Sequence, residues 1–316
     1  MRLAILKAGP LVSVQDGGRP GMMRFGVPAS GPMDRMSFRI ANAAVGNPDT
    51  APAIEISLGG LTLECTEGCV TFALAGGGFR LGLGADRLGS WSVATLHAGT
   101  RLSVAPGPWG SWTYLALAGT LRAGAWLGSA ATHALSGLGG GLLRAGGTVE
   151  IDGAERREAR CGPIPCPVWA RPRHSVGVVP GPQDRFFPAG VMETFLSSRF
   201  TLTDASDRMG VRLSGPKLHP GAALDMPSEA ILRGSVQVAG DGVATVLLAD
   251  HQTTGGYPRI ATLVSGDIDG FAQLRSRDAV RFCQTDPQAA IAALRARQPA
   301  QERYLAALRH PGRTRP

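Results

Sequence analysis

Apolar and polar positions along this chain alternate mostly with a period of two, the spacing of half-buried strands rather than helices. From Ala53 to about Ile151 short runs of this kind follow one another: AIEISL, LTLEC, VTFALAG, FRLGLG, ATLHAG, TRLSVAP and SWTYLALAG. Glycine-bearing turns separate them at intervals suited to a sandwich or barrel. A second series begins at HSVGVVPGPQ and continues through FTLT, VRLSG, SVQVAG, ATVLLAD, IATLVSG and AVRFCQ. Helical spacing is confined to a few places. In MDRMSFRIANAAVGNP, Met33, Met36, Ile40 and Ala44 recur at i, i+3 or i+4, and Gly46 with Asn47-Pro48 supplies a stop. A short helix is expected around Val191–Leu196. Asp286 and Pro287 read as the N-cap and first position of a C-terminal helix, or of two if Pro299 interrupts it.

The prediction is therefore a mainly β protein with a few helices. LGSAATHALSGLGGGLLRAGG reads as a long glycine-rich loop, and the shift to DGAERREARCGPIPCP marks a boundary near residues 152–167. The expected organisation is an N-terminal β-rich unit over 1–155 with one helix, a second over 168–285, and a helical tail over 286–316. Both units pair a polar Asp/Arg/Gly motif with barrel-like strands, a faint sign of internal relationship.

Composition narrows this picture in three ways. Hydrophobic residues at 44% and charged residues at 18% are globular values, and 44 glycines with 23 prolines suit a turn-rich β fold. The formal charge of +8 is scattered, except for Arg295, Arg297, Arg303, Arg309, Arg313 and Arg315 near the C-terminus, which read as a solvated helical tail. A nucleic-acid site would gather basic and aromatic residues on one face, so neither nucleic acid nor membrane is an expected partner, and no apolar run reaches a membrane-spanning length. The five cysteines (Cys65, Cys69, Cys161, Cys166 and Cys283) have irregular spacing with no histidine at ligand distance. They are expected to be reduced and structural, in a cytoplasmic protein without a signal peptide or metal site.

Three polar stretches carry the candidate chemistry. The first, VQDGGRPGMMRFGVPASGPMD, holds Gln15, Asp16, Arg19, Ser30 and Asp34 in a run too long for an ordinary loop. It is either a disordered arm or a fixed site, and the helix behind it favours the site. The second, SDRMGVRLSGP, holds Asp207, Arg208 and Arg212. The third, ADHQTTGGYPRI, holds Asp250, His251, Gln252, Thr253, Thr254, Tyr257 and Arg259 at the end of a buried strand. Arginine forks suit carboxylate or phosphate, Asp16, Asp250 and His251 are candidates for proton transfer, and Gly255-Gly256 permits close backbone approach. Asp16 and Asp207 also fit a purely turn-capping role, and His251 a structural one. The expectation is that the stretches converge on one arginine-lined pocket for a small anion. No phosphate-binding loop, dinucleotide fingerprint or nucleophile elbow occurs.

Taken together, these three stretches with ANAAVGNP and AIEISLGG closely resemble the biotin-dependent carboxyltransferase family, from about Leu11 to Phe282. That family includes the second subunit of allophanate hydrolase-type proteins and the C subunit of bacterial 5-oxoprolinase. The resemblance implies two cyclophilin-like β-barrel units in tandem. It also implies two partners, a B-type subunit of related fold and an A-type subunit of the lactam-utilisation kind. The implied activity is ATP-dependent opening of 5-oxo-L-proline to L-glutamate. Two alternatives stand beside it: carboxyl transfer from biotin on a partner to a urea-like acceptor, and non-enzymatic regulation of a kinase. The chain departs from the family pattern at Ala130 and Ala131, where the family usually has Arg and Ser, and at Arg144–Gly147, which reads RAGG instead of RAGD.

Overall fold

In a computed structural model of the chain, residues 1–221 and 226–310 are described. Arg313 and Arg315 of the expected tail lie outside them. The chain divides into two compact units: Met1–Arg19, Ser30–Arg171 and the chain from Ala300 on, and then Pro20–Ala29 with Pro172–Pro299.

The first unit is built of two antiparallel sheets. One runs Thr120–Leu121, Thr148–Asp152, Arg2–Ala8, Leu61–Glu67, Arg101–Ala105, Arg80–Leu83 and Asp86–Gly89. The other runs Gly162–Pro163, Ser92–His97, Cys69–Ala75, Thr113–Leu117, Ala53–Ile56 and Ser13–Gln15. In Arg2–Ala8 and Leu61–Glu67 alternate side chains, Leu3, Ile5, Leu61 and Leu63, are buried, whereas Cys69–Ala75 and Thr113–Leu117, with Phe72 and Leu115, are buried along nearly their whole length. Helix α1 (Arg35–Val45) packs on the second sheet, with Phe38 edge-on to Tyr114 at 5.8 Å. Its stop is the one the sequence announces. Asp34 caps the Ser37 amide, and Gly46 takes the left-handed conformation that ends the helix.

The second unit closes seven strands into a barrel: Ser175–Pro180, Arg259–Leu263, Ser235–Val238, Ala244–Leu247, Gly210–Ser214, Phe200–Ser206 and Ala279–Gln284. The parallel pairing of the first with the last completes the ring. Val176, Val178, Val211, Val236 and Val246 fill its interior. Phe195 of helix α2 (Ala189–Ser197) stacks on Phe282 at 4.7 Å, and Phe200 joins them. Between Phe200–Ser206 and Gly210–Ser214 the register slips, so that Thr203, Asp204 and Ala205 stand opposite Arg212 alone. Such a bulge bends the strand and re-aims its side chains.

Helix α3 (Ser265–Ala272) carries Gly266 and Gly270, and with that weak helical signal it has no counterpart among the elements expected from the sequence. Helix α4 (Pro287–Arg309) runs unbroken through Pro299, where the sequence also allows two helices. Its flanks are tied down: Arg297 donates to the Gly266 carbonyl, and Glu302 accepts from Arg39 at 2.8 Å. No helix among the described residues is long and apolar enough to cross a membrane.

Candidate functional site

The second and third polar stretches meet on the second unit. A cleft of about 910 Å³ lies over the bulge, lined by Asp204, Asp207, Arg212, Gln237, Gln252 and Tyr257 among others. Asp207 and Arg212 come from the second stretch, Gln252 and Tyr257 from the third. Asp204 and Gln237, with Asp241, are cleft groups outside the stretches that the sequence marks. One signal for them is present: a glutamine in the middle of the apolar strand SVQVAG is out of place unless it serves something.

Below the cleft, both stretches are held by a buried ion pair. Arg208 donates through Nε to Asp250 Oδ2 at 2.9 Å and through Nη2 to Oδ1 at 3.0 Å. Each side chain is 1% exposed. The Asp250 amide also donates to the Arg208 carbonyl at 2.8 Å, so backbone and side chains lock the same two segments. His251 is buried beside this pair, and its Nδ1 donates to the Gln252 carbonyl at 2.6 Å. Asp207 Oδ1 accepts from the Met209 and Gly210 amides, forming the turn into the strand.

Arg259 is also buried and engaged. It donates to Gln183 Oε1, to the Ala230 carbonyl at 3.0 Å and to Glu229 Oε2 at 3.1 Å, and Gln183 Nε2 bonds the same carboxylate oxygen at 2.7 Å. Nothing in the sequence singles out Gln183 and Glu229. Thr253 offers its carbonyl to the Ile231 amide, and Thr254 lies in the short strand Thr254–Gly255 that pairs with Glu229–Ala230. Gly255 packs against the protein's own chain: a Cβ there would stand 2.6 Å from Gln237 Nε2, so the end of that side chain would have to move aside. Gln237 stands at the cleft wall, with Gln252 Nε2 3.4 Å from its Oε1.

In the first unit the opening stretch latches onto the glycine-rich loop. Asp16 accepts from Ser129 Oγ at 2.6 Å, the Ala130 amide at 2.6 Å and the Gly18 amide at 2.8 Å. Buried Arg19 donates to the Ala131 and Trp126 carbonyls, with its guanidinium 5.0 Å from the Trp126 ring centre. The latch uses backbone groups of residues 130 and 131, so the alanines at these positions preserve it. Both methyl groups are buried. Gln15 Nε2 donates to Ser13 Oγ and the Thr132 carbonyl. Ser30 is buried in a left-handed turn, and Asp34 is the α1 cap. Behind them, the Tyr114 hydroxyl donates to Glu55 Oε2 at 2.9 Å and accepts from the Asp34 amide at 2.7 Å. The Met33 amide reaches the same Glu55 oxygen at 2.7 Å. Burial first, and then the Glu55 and Asp34 carboxylates, push the Tyr114 phenol well above its ordinary range. Glu55, a carboxylate in the otherwise apolar AIEISL strand, is a second signal of the same kind as Gln237.

Arg19 thus belongs to the first unit, while Arg208, Arg212 and Arg259 belong to the second. Within the second, Arg212 is the arginine that faces the cleft, and Arg208 and Arg259 serve its framework. Among the described residues no group of three or more potential ligands is placed to hold a metal.

Comparison with known proteins gives this architecture its place. The profile of the carboxyltransferase domain, subdomain A and B, matches residues 25–284. The chain is 36% identical to the 5-oxoprolinase C subunit of Escherichia coli (strain K12) over 306 residues, 96% of either chain. Among solved structures it resembles the Kluyveromyces lactis urea carboxylase, with a TM-score of 0.85 and 26% identity over 96% of this chain but 29% of that one. It also resembles TTHA0988, with a TM-score of 0.80 and 31% identity over 89% of this chain, and spans 55% of that protein. With most of its length matched by the domain profile, this chain belongs to the carboxyltransferase-domain family.

Proposed function

We propose that the chain is one component of an ATP-dependent 5-oxoprolinase, opening 5-oxo-L-proline to L-glutamate in the cytoplasm with two partner subunits, one of related fold and one of the lactam-utilisation type. The observation that carries this reading is the 36% identity to the 5-oxoprolinase C subunit over 96% of both chains. The cleft chemistry agrees with it. A lactam presents one N–H donor and one carbonyl acceptor. Asp204 and Asp207 supply acceptors, and the Gln237 and Gln252 amides supply both kinds of group. Arg212 is the donor for the substrate carboxylate or for the carbonyl oxygen as the ring opens.

Asp250 and His251 contribute by holding the third stretch in place. Arg208, Arg259 and the opening stretch likewise act as supports, fixing the loops that carry the reacting groups. ATP supplies the driving force by activating the lactam carbonyl. The cleft presents Asp204, Asp207 and Asp241 against Arg212 alone, which does not fit a triphosphate, so ATP is assigned to a partner subunit.

The test is reconstitution. Purified chain and partner subunits should release glutamate only when ATP and 5-oxoproline are both present. Arg212→Ala should lower kcat/KM at least about tenfold, as expected for losing one charge-assisted hydrogen bond. Release that persists undiminished without this chain rejects the reading. The fold shared with urea carboxylase favours a second one, carboxyl transfer from biotin on a partner to a urea-like acceptor. The paired N–H and carbonyl of the biotin ring suit the same amide-lined cleft. Carboxylation of urea with a biotin carboxylase and carrier, without any lactam opening, would establish it. Tight partner binding with no turnover of either substrate would favour kinase regulation.

A further inference from the structure

Part of the third polar stretch belongs to a two-stranded ribbon that stands apart from the barrel. Thr254–Gly255 pairs antiparallel with Glu229–Ala230, and the Ile231 amide donates to the Thr253 carbonyl at 3.1 Å. Gln252 and Tyr257, which line the cleft, flank Thr254–Gly255 in sequence, so the place of the ribbon decides theirs.

The bonds that these two residues make to the cleft wall are long. Gln237 Nε2 donates to the Tyr257 carbonyl at 3.4 Å, and Gln237 Oε1 accepts from Gln252 Nε2 at 3.4 Å. Both exceed the usual limit of about 3.2 Å. The bonds to the ribbon from Gln183 and Arg259 are shorter. Gln183 Nε2 donates to Glu229 Oε2 at 2.7 Å, and Arg259 reaches the same oxygen at 3.1 Å and the Ala230 carbonyl at 3.0 Å. Gln183 Oε1 accepts from the Arg259 amide at 2.9 Å and from its Nε at 3.3 Å. A backbone bond from the Gly181 amide to the Ile260 carbonyl ties the Gln183 segment to the barrel strand Arg259–Leu263. Gln183 is 1% exposed, and its amide spends its acceptor end on the arginine and its donor end on the carboxylate. Neither a carboxylate nor an ammonium does both.

We infer that Gln183 and Glu229 are positioning residues for the cleft: acting with Arg259 they set the ribbon, and the ribbon sets where Gln252 and Tyr257 stand against a bound ring. That the ring is a lactam rests on the proposed function; the placement of the wall does not. Displacing the wall weakens ring binding more than it slows the steps after binding, so the loss falls on KM.

Two variants displace the ribbon. Gln183→Glu removes the donor and sets two carboxylates against each other; Glu229→Ala, at a half-exposed position, removes the accepting oxygen with less risk to folding. In the reconstituted complex each should raise KM for 5-oxoproline about tenfold and leave KM for ATP unchanged. Exchanging the two groups, Gln183→Glu together with Glu229→Gln, again sets a donor against a carboxylate beside Arg259 and should recover most of the loss. Amide hydrogen exchange on the full chain should show Ile231 opening about tenfold faster in either single variant, with the barrel strands unchanged, and slowed again in the exchanged pair. A fall in kcat at unchanged KM, or an exchanged pair no better than Gln183→Glu alone, overturns the inference. If the natural complex binds no lactam while the Ile231 amide responds as expected, the lactam reading falls and the ribbon assignment stands. If the lactam is opened while KM and the Ile231 amide ignore both variants, the assignment falls and the lactam reading stands.

Discussion

The two units fix a polar turn beside a strand with different chemistry. In the first, the Glu55 carboxylate is buried against uncharged donors, the Tyr114 hydroxyl and the Met33 amide, and Asp16 is likewise met by amides and a hydroxyl. In the second, the Asp250 carboxylate faces the full charge of Arg208 with both groups almost wholly out of water. The difference sets what failure costs. Losing a neutral donor forfeits a hydrogen bond, whereas losing one member of an ion pair strands an opposite charge. In both units most of the conspicuous Asp and Arg residues are spent on the protein's own chain; Asp207 and Arg212 line the open cleft, beside less conspicuous neighbours such as Asp204 and Gln237.

The strongest way to break this comparison is Asp250→Ala. It removes the bidentate partner of a buried guanidinium and should cost about 3–5 kcal/mol. Denaturant unfolding would show this as a lowered midpoint with unchanged slope. A cost no greater than that of a neutral hydrogen bond would mean that water or other groups already compensate Arg208, and the contrast between the units would vanish.

Tyr114→Phe probes the neutral solution. The ring and its edge-on contact with Phe38 remain, but the Asp34 amide and Glu55 each lose a partner. The expected loss is about 1–3 kcal/mol by the same measurement. A loss matching that of Asp250→Ala would show that Glu55 needs the hydroxyl as much as Asp250 needs its arginine.

Much of this fold is legible in the sequence because it rests on local rules. The period-two runs become strands, and the Gly46 stop ends α1 where expected, while Asp34, counted among the candidate site residues, serves as its cap. Strand Arg2–Ala8 is harder to see, since its alternation is interrupted and its place depends on pairing with Leu61–Glu67 and Thr148–Asp152, far along the chain. Helix α3 is harder still, with glycines whose cost is offset by burial of Ile268 and Phe271. The site is legible by segment and not by residue. SDRMGVRLSGP and ADHQTTGGYPRI do border one cleft, but composition cannot tell which arginine of Arg208, Arg212 and Arg259 faces outward. That depends on the bulge opposite Arg212 and on distant partners such as Gln183 and Glu229.

The smallest expected effect concerns the rim of the first unit, where charge does appear. Asp49 accepts from Arg39 at 2.8 Å and from Arg309 of α4. Burial alone would raise its pKa, but the bonds from Arg309 and Arg39 outweigh it and hold the carboxyl below the usual aspartate range near 3.8. A carboxyl whose folded pKa lies below its unfolded value adds stability above the unfolded value and loses it as pH falls through the folded one. The Asp49 contribution should therefore be whole at neutral pH and fade below about pH 4. Asp49→Asn should narrow the gap between stabilities measured at about pH 6 and about pH 3, with the variant the less stable at the higher pH. The change should be smaller than for either buried group, because both arginines and Asp49 are partly exposed to solvent. An acid-induced loss of the same size in Asp49→Asn and the natural chain would place the titrating carboxylate elsewhere.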